Sequence, residues 1–361
     1  MLLSVITKDF ILLLAGGALV WGAESRNVCG IKLGVKRSGT PGLREESEAR
    51  ISMRKTLLIA FALLLPQSGE VFAQISQPAK VMIGDVELHY IERGEGEPVI
   101  LLHGGQGDYR AWPLLMDALA PRYRAISYSR RYHWPNANTL NSSHHSAIID
   151  AEDLASLIRA LNLGSVHLVG TSYGAFTALA LAIKHPELVR TMVLAEPPVQ
   201  QWLKSTARGA ALYREREETV YEPAKRAFAA GNDEAAMRLF IDTFDGQGTF
   251  EQLPAERRAS IMQNARFFKV LTLSSDPFPN LSKNAVRRLT MPILIVRGEH
   301  TDELHWIIVQ ELGRLVPRAH RLTIPQAGHG SPRQNPKAFN SAVLEFLEKQ
   351  GNIQRINSGK Y

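Results

Sequence analysis

Val166-His167-Leu168-Val169-Gly170-Thr171-Ser172-Tyr173-Gly174-Ala175-Phe176-Thr177-Ala178-Leu179-Ala180 passes from a short apolar, β-rich run into an Ala-rich helical one, with a single sharp corner between them. At the corner stands a G-x-S-x-G, Gly170 and Gly174 flanking Ser172. A serine at a strand-to-helix turn of this kind is held in strained geometry, and glycines two residues to either side leave room for the packed backbone. The turn exposes the hydroxyl. The Tyr173 N–H, at the start of the helix, is placed to face an oxygen that becomes negative under attack, aided by the positive end of the helix dipole. In an isolated loop the same five residues carry little information. The strand Val166–Gly170 before them and the helical run Ala175–Ile183 after them are what favour a nucleophile.

Outward from this corner, short β-rich runs alternate with helical stretches from about Ala79, the pattern of a mostly parallel sheet covered by helices. The expected strands are Val86–Ile91, Pro98–His103, Tyr123–Tyr128, Val166–Gly170, Thr191–Glu196, Met291–Arg297 and Arg321–Ile324. Ile149, Leu154, Leu157, Ile158 and Leu161 make a near-helical stripe over Ile148 to Leu161, which Asn162-Leu163-Gly164 stops. Between Pro197 and Leu289 the strand pattern vanishes and helix formers take over, so residues 198–289 are expected to form a helical insertion lying as a lid over the carboxyl edge of the sheet. Met237, Phe240, Ile241 and Phe244 share one face of a helix there, and are assigned to the lid's own core in preference to substrate contact.

A hydroxyl is a poor nucleophile near neutral pH and needs a base within hydrogen-bond reach. Of eleven histidines, His329 stands out, because Ala327-Gly328-His329-Gly330 puts it on a short glycine-flanked loop after the last expected strand. His133 is a distant second; His144, His145, His185, His305 and His320 sit in polar or helical runs and read as surface or boundary residues. The base in turn needs a carboxylate to fix its tautomer. Asp302 and Glu299 compete just past the strand Met291–Arg297. Asp302 is preferred, since the chain order Ser, acid, His places the acid slightly beyond the turn glycine Gly298, and Glu299 is then a loop brace.

The second oxyanion donor is expected from the loop Leu102-His103-Gly104-Gly105-Gln106-Gly107, through the N–H of Gly105 or, less favoured, Gln106. No Gly-Lys-Ser/Thr follows, so this is not a phosphate loop, and His103 reads as orienting the loop rather than as a base. Arg130 and Arg131, after the strand Tyr123–Tyr128, either brace a loop through salt bridges, the preferred reading, or recognise a carboxylate. There is no His-Glu-x-x-His or acid cluster, so neither a metal nor another cofactor is expected.

Taken together, the His103-Gly104 loop, the Ser172 corner, the Asp302 turn and the Gly328-His329 loop resemble the α/β-hydrolase superfamily over about residues 79–350. The resemblance implies an eight-stranded, mostly parallel sheet flanked by helices with a helical lid, and is similar in spacing to the esterase, lactonase and carbon–carbon hydrolase group. Haloalkane dehalogenases and epoxide hydrolases carry aspartate at the position of Ser172, which disfavours those activities. The implied reaction is cleavage of a small carboxylic ester, lactone or related acyl substrate through an acyl-enzyme, by Ser172, His329 and Asp302 with Tyr173 and Gly105 as oxyanion donors. The alternative is a hydrolase-shaped ligand-binding or receptor protein with negligible turnover. Residues that bind the substrate are not assigned at this level.

The 361 residues, 45% hydrophobic and 21% charged, describe an ordinary globular chain. Part of the net charge of +7 lies upstream: residues 1–73 hold 9 Lys+Arg against 6 Asp+Glu, leaving 33 against 29 scattered without a basic block. Nucleic acid is therefore not expected as a partner. Met53-Arg54-Lys55, the apolar run Leu57 to Leu65 and the small-residue site Val71-Phe72-Ala73 have the layout of a secretory signal peptide cleaved after Ala73. The run is about half of the roughly 20 residues that span a bilayer, so a periplasmic or secreted protein without a stable anchor is expected. Residues 1–52 are read as lying upstream of a true start at Met53. Cys29, the only cysteine, falls in that segment, which leaves the mature chain without a disulfide, thiol nucleophile or Cys-based zinc site. Oligomeric state has no signature here.

Overall fold

The computed structural model describes residues 77–141 and 143–357; the upstream segment 1–52 with Cys29 and the signal-peptide reading at 53–73 lie outside the described residues. The strands are β1 (Ala79–Ile83), β2 (Val86–Arg93), β3 (Glu97–Leu102), β4 (Tyr123–Tyr128), β5 (Val166–Thr171), β6 (Val189–Ala195), β7 (Ile293–Gly298) and β8 (His320–Ile324). They form one sheet in the order β1-β2-β4-β3-β5-β6-β7-β8. The pairs β1/β2 and β2/β4 are antiparallel and the rest are parallel. Seven of the strands follow the expected runs. The eighth, β1, is a short and largely exposed edge strand turned onto β2 at Gly84, whose φ of 63° suits glycine, and it carries no buried run to betray it.

Helices cover both faces, as a parallel sheet requires. Before the insertion come α1 (Pro113–Leu119), α2 (Ala147–Ala160) and α3 (Tyr173–Lys184). The insertion holds α4 (Ala207–Arg216), α5 (Glu222–Ala229), α6 (Asp233–Asp245), α7 (Thr249–Gln252), α8 (Ala255–Met262), α9 (Ala265–Leu273) and α10 (Lys283–Arg287). After β7 follow α11 (Glu303–Leu315), α12 (Ser331–Gln334) and α13 (Pro336–Asn357). Alternation along β3 decides what packs where. Ile100 and Leu102 join the large core with α2, α3 and the insertion, whereas Val99 and Leu101 join Leu115, Met116, Phe339, Val343 and Phe346 of α1 and α13 on the other face.

The stretch from β5 into α3 sets the position of Ser172. A Cβ on Gly174 would stand 2.3 Å from the Leu102 carbonyl oxygen and one on Gly170 2.7 Å from the Ala175 nitrogen. Only glycine at both places lets α3 start against the end of β3. Between β6 and β7 the regular elements are all helices, joined by turns and by an irregular stretch at 274–282, as the loss of strand pattern predicts.

Candidate active site

Ser172 has φ 51° and ψ −125°, a backbone conformation that glycine dominates. Its N–H donates to the Ala195 carbonyl at 2.8 Å and its carbonyl accepts from Phe176 N at 3.0 Å. The end of β6 and the first turn of α3 thus fix the residue from both sides, which is how strain of order 1–3 kcal/mol is sustained. The hydroxyl meets His329 Nε2 at 2.9 Å. His329 Nδ1 lies 2.8 Å from Glu196 Oε2, and the other Glu196 oxygen accepts the Gly298 N–H at 2.8 Å. A carboxylate accepts only, so Nδ1 carries the proton and Nε2 is left to accept the Ser172 hydroxyl proton. Burial by itself pushes the Glu196 carboxyl up, but the hydrogen bond from His329, the charges of His329 and His305, and the Gly298 N–H hold it below its ordinary range.

The carboxylate on His329 is therefore Glu196 and not the expected Asp302. Asp302 is the N-cap of α11: one oxygen accepts from both the N–H and Nδ1 of His305, each at 2.8 Å, and the other takes Arg216 Nη2 at 3.2 Å. Burial opposes its charge, yet these bonds hold its carboxyl far below the usual range. Glu299 behaves as a loop brace, accepting the Gln326 N–H at 2.8 Å. Glu196 ends the run expected as the strand Thr191–Glu196 and stands one residue past β6 after four apolar residues, and a carboxylate buried there must have a partner. That was the available signal.

His305 is likewise buried and not a boundary residue. Its ring stacks on His329 with centroids 3.9 Å apart and 28° between planes, while Asp302 holds its Nδ1. Glu196, His305 and His329 can bring one ligand atom each within 4.8 Å of the others. Stacked imidazoles direct their lone pairs side by side rather than to one point, and both His329 nitrogens are engaged, so the trio is poorly arranged for a metal.

Gly104 abuts the serine: a Cβ there would lie 3.4 Å from Ser172 Cβ. Its carbonyl accepts from His103 Nδ1 at 2.8 Å, Arg130 Nη2 at 3.3 Å and Gly107 N at 3.2 Å, and the Gly105 carbonyl meets His133 Nε2 at 3.2 Å. Across a trans peptide the N–H points opposite to the carbonyl, so these contacts turn the Gly105 and Gln106 N–H groups away from the buried His103–Arg130–His133 cluster. Arg130 is paired with Asp150 at 2.8 Å and Arg131 with Asp153 at 2.6 Å, the bracing arrangement. His103 orients the loop as expected, and its Nε2 accepts the Arg130 N–H at 3.2 Å.

Complete burial and the Arg130 charge bring the His103 ring down to about 3, and burial also lowers His133 and His145. The unfolded chain takes up these protons near pH 6.5 and the folded one does not, so folding stability is lost as pH falls below that value. Urea titrations between pH 6.5 and 5, above the carboxylate range, are expected to show stability falling, with His103 alone contributing a slope that approaches about 1.4 kcal/mol per pH unit. His103→Gln is expected to reduce that slope, and a slope equal to that of wild type would place the proton elsewhere.

Ser172, Tyr173, Gly105 and His329 border a cavity of about 420 Å³. The insertion supplies much of its wall. Phe240, Phe244, Phe267 and Phe268 line it; of the four-residue stripe, Met237, Phe240 and Ile241 are core with Phe244 packed against them, as expected, and Phe240 and Phe244 also border the cavity. A Cβ on Gly105 would approach Phe268 to 2.8 Å, which shows how closely α9 is packed on the loop. Arg110, Arg257 and Arg333 border the same space.

A hydroxyl, an imidazole and a carboxylate gathered at the carboxyl ends of parallel strands, beneath helices inserted after β6, define an α/β protein with a hydrolase-type site. The chain belongs to the alpha/beta hydrolase fold family, whose sequence model matches residues 97–336. It is 29% identical over 259 residues, 70% of this chain and 90% of the relative, to a Bacillus subtilis protein assigned as a 2-succinyl-6-hydroxy-2,4-cyclohexadiene-1-carboxylate synthase. It is 28% identical over 276 residues, 74% of this chain and 94% of the relative, to a 2-(acetamidomethylene)succinate hydrolase of Mesorhizobium japonicum. Among solved structures, the enol-lactonase of Burkholderia xenovorans superposes with a TM-score of 0.61 at 17% identity, covering 75% of this chain and all of the other, a likeness of fold alone.

Proposed function

We propose that the protein is an exported serine hydrolase that cleaves a small carboxylic ester, lactone or related acyl substrate. The observation that carries this reading is the unbroken path Ser172 Oγ, His329 Nε2, His329 Nδ1, Glu196 Oε2 at the wall of an aromatic-lined cavity. In the first half-reaction His329 Nε2 takes the Ser172 proton as Oγ bonds to the acyl carbon. The Tyr173 and Gly105 N–H groups hold the oxyanion, and the leaving alkoxide departs with the proton from His329. Water then gives a proton to His329 as its oxygen bonds to the acyl carbon, and His329 passes that proton to Ser172 Oγ as the acyl–oxygen bond breaks, releasing the acid and restoring the serine. The small-molecule hydrolases among the relatives support the class of reaction. Export rests on the signal-like segment 53–73.

The test takes the protein from the extracytoplasmic fraction, sequences its N-terminus and treats it with a fluorophosphonate and a panel of esters and lactones. A start near Gln74, rapid labelling at Ser172 and turnover of at least one substrate are expected. Labelling with no turnover of any would favour a hydrolase-shaped binding protein.

A further inference from the structure

We propose that Arg257 binds a carboxylate on the substrate, so that the cavity takes an anionic ester or lactone with its scissile carbonyl at Ser172 and its acid group at α8. This rests on the serine hydrolase reading and names the substrate class of the same site.

Three arginines from three elements border the cavity: Arg110 from the turn Tyr109–Ala111, Arg257 from α8 and Arg333 from α12. Two are already satisfied. Arg110 grips Asp108 through Nε at 2.8 Å and Nη2 at 2.7 Å, bonds Gln263 at 2.8 Å and lies over the Trp134 ring. Arg333 pairs with Asp245 at 2.5 Å. The Arg257 side chain makes no hydrogen bond or ion pair with any described residue.

The charged groups around Arg257 are Arg333, Asp245, Asp108 and Arg110, and each of the two acids belongs to another arginine. Asp108 is further engaged by Asn264 Nδ2 at 3.0 Å. Three cations thus meet two carboxylates, and the surplus charge sits half-buried in the cavity wall. Burial, with Arg333 nearby, disfavours that charge, and a part-buried guanidinium without a counter-ion is costly to keep. A ligand carboxylate removes the imbalance, and the planar fork of arginine fits it with two bonds. The phenylalanines of the wall suit an apolar spacer between the two ends. Arg130 and Arg131, the arginines that sequence pattern brings forward, are committed to Asp150 and Asp153 and unavailable for this task.

Monoethyl adipate and ethyl hexanoate present the same ester with and without a terminal carboxylate. Wild type is expected to favour the adipate in kcat/KM, and Arg257→Met to collapse that preference by about 10- to 100-fold through KM, the range of one charge-assisted hydrogen-bonded contact. Arg257→Lys, which keeps the charge and loses the fork, should restore part of it. A preference unmoved by Arg257→Met, or a wild type that favours hexanoate, overturns the subsite. Turnover of ethyl hexanoate in that event leaves the hydrolase reading standing. If neither ester turns over, calorimetric binding of monoethyl adipate decides: binding weakened at least about tenfold by Arg257→Met supports the subsite without catalysis, and no binding to wild type refutes it.

Discussion

Ser172→Ala is expected to lower kcat on ester or lactone substrates by about 10⁶-fold, leaving only what the oxyanion donors and binding supply. The variant keeps its Cβ in a backbone conformation of φ 51° and ψ −125°, so its folding should stay close to wild type. Ser172→Gly is expected to be equally inactive but more stable. Glycine adopts this conformation without the strain that a side chain brings, and the relief of order 1–3 kcal/mol exceeds the roughly 0.5–1 kcal/mol that glycine loses through the freedom of the unfolded chain. The net gain over Ser172→Ala should be about 1 kcal/mol, read as a rise of roughly 2–4 °C in Tm. Comparing the two variants with each other removes the hydroxyl and its bond to His329 from both. Thermal melts and initial rates on the same preparations check both halves. Turnover above 1% of wild type in clean Ser172→Ala would remove the serine from the chemistry, and a glycine variant less stable than the alanine one would show that the corner stores no strain.

The corner was legible in the sequence because every feature that builds it is local: an apolar run, two glycines at fixed offsets and a helix of small residues. The same holds for the buried strands, whose apolar runs mark them whatever surrounds them. β1 escaped because an exposed edge strand has no such run. The acid was harder for a different reason. β6 and β7 are adjacent and parallel, so their carboxyl ends lie about one strand spacing apart and sequence position alone does not say which end supplies the carboxylate to the imidazole. The order Ser, acid, His is obeyed by Glu196 as well as by Asp302, and does not choose between them. What chooses is the competing claim on each oxygen. Asp302 precedes a helix and is consumed as its N-cap and by His305, an i, i+3 contact. The next helical turn after Glu196 is Gln200–Ser205, whose N-cap position is Val199, so no helix N-terminus claims the Glu196 carboxylate. The stacking of His305 on His329 and the unpaired side chain of Arg257 are set by residues distant in the chain, and no periodicity reports them.

Glu196→Gln is expected to cost about 10⁴-fold in kcat/KM, against no more than about tenfold for Asp302→Asn. The glutamine keeps the size of the side chain but faces two donors, the Gly298 N–H and His329 Nδ1–H, with a single acceptor oxygen. If that oxygen turns to His329, the amide nitrogen opposes the Gly298 N–H and leaves a buried donor unpaired, at about 1–3 kcal/mol. If it turns to Gly298, the amide donates to Nδ1, the imidazole proton moves to Nε2, and the group that should accept the Ser172 proton presents one instead. Either arrangement also forfeits the negative charge that stabilises the imidazolium. Asp302→Asn retains an acceptor for the α11 cap and weakens the contact with Arg216, so its effect should fall on stability, about 1 kcal/mol by urea unfolding, before it falls on rate. Steady-state kinetics of both variants at one pH, with circular dichroism to verify folding, separate the two carboxylates. A larger rate loss in Asp302→Asn than in Glu196→Gln would return the role to the β7 turn and mean that His329 changes partner when substrate binds.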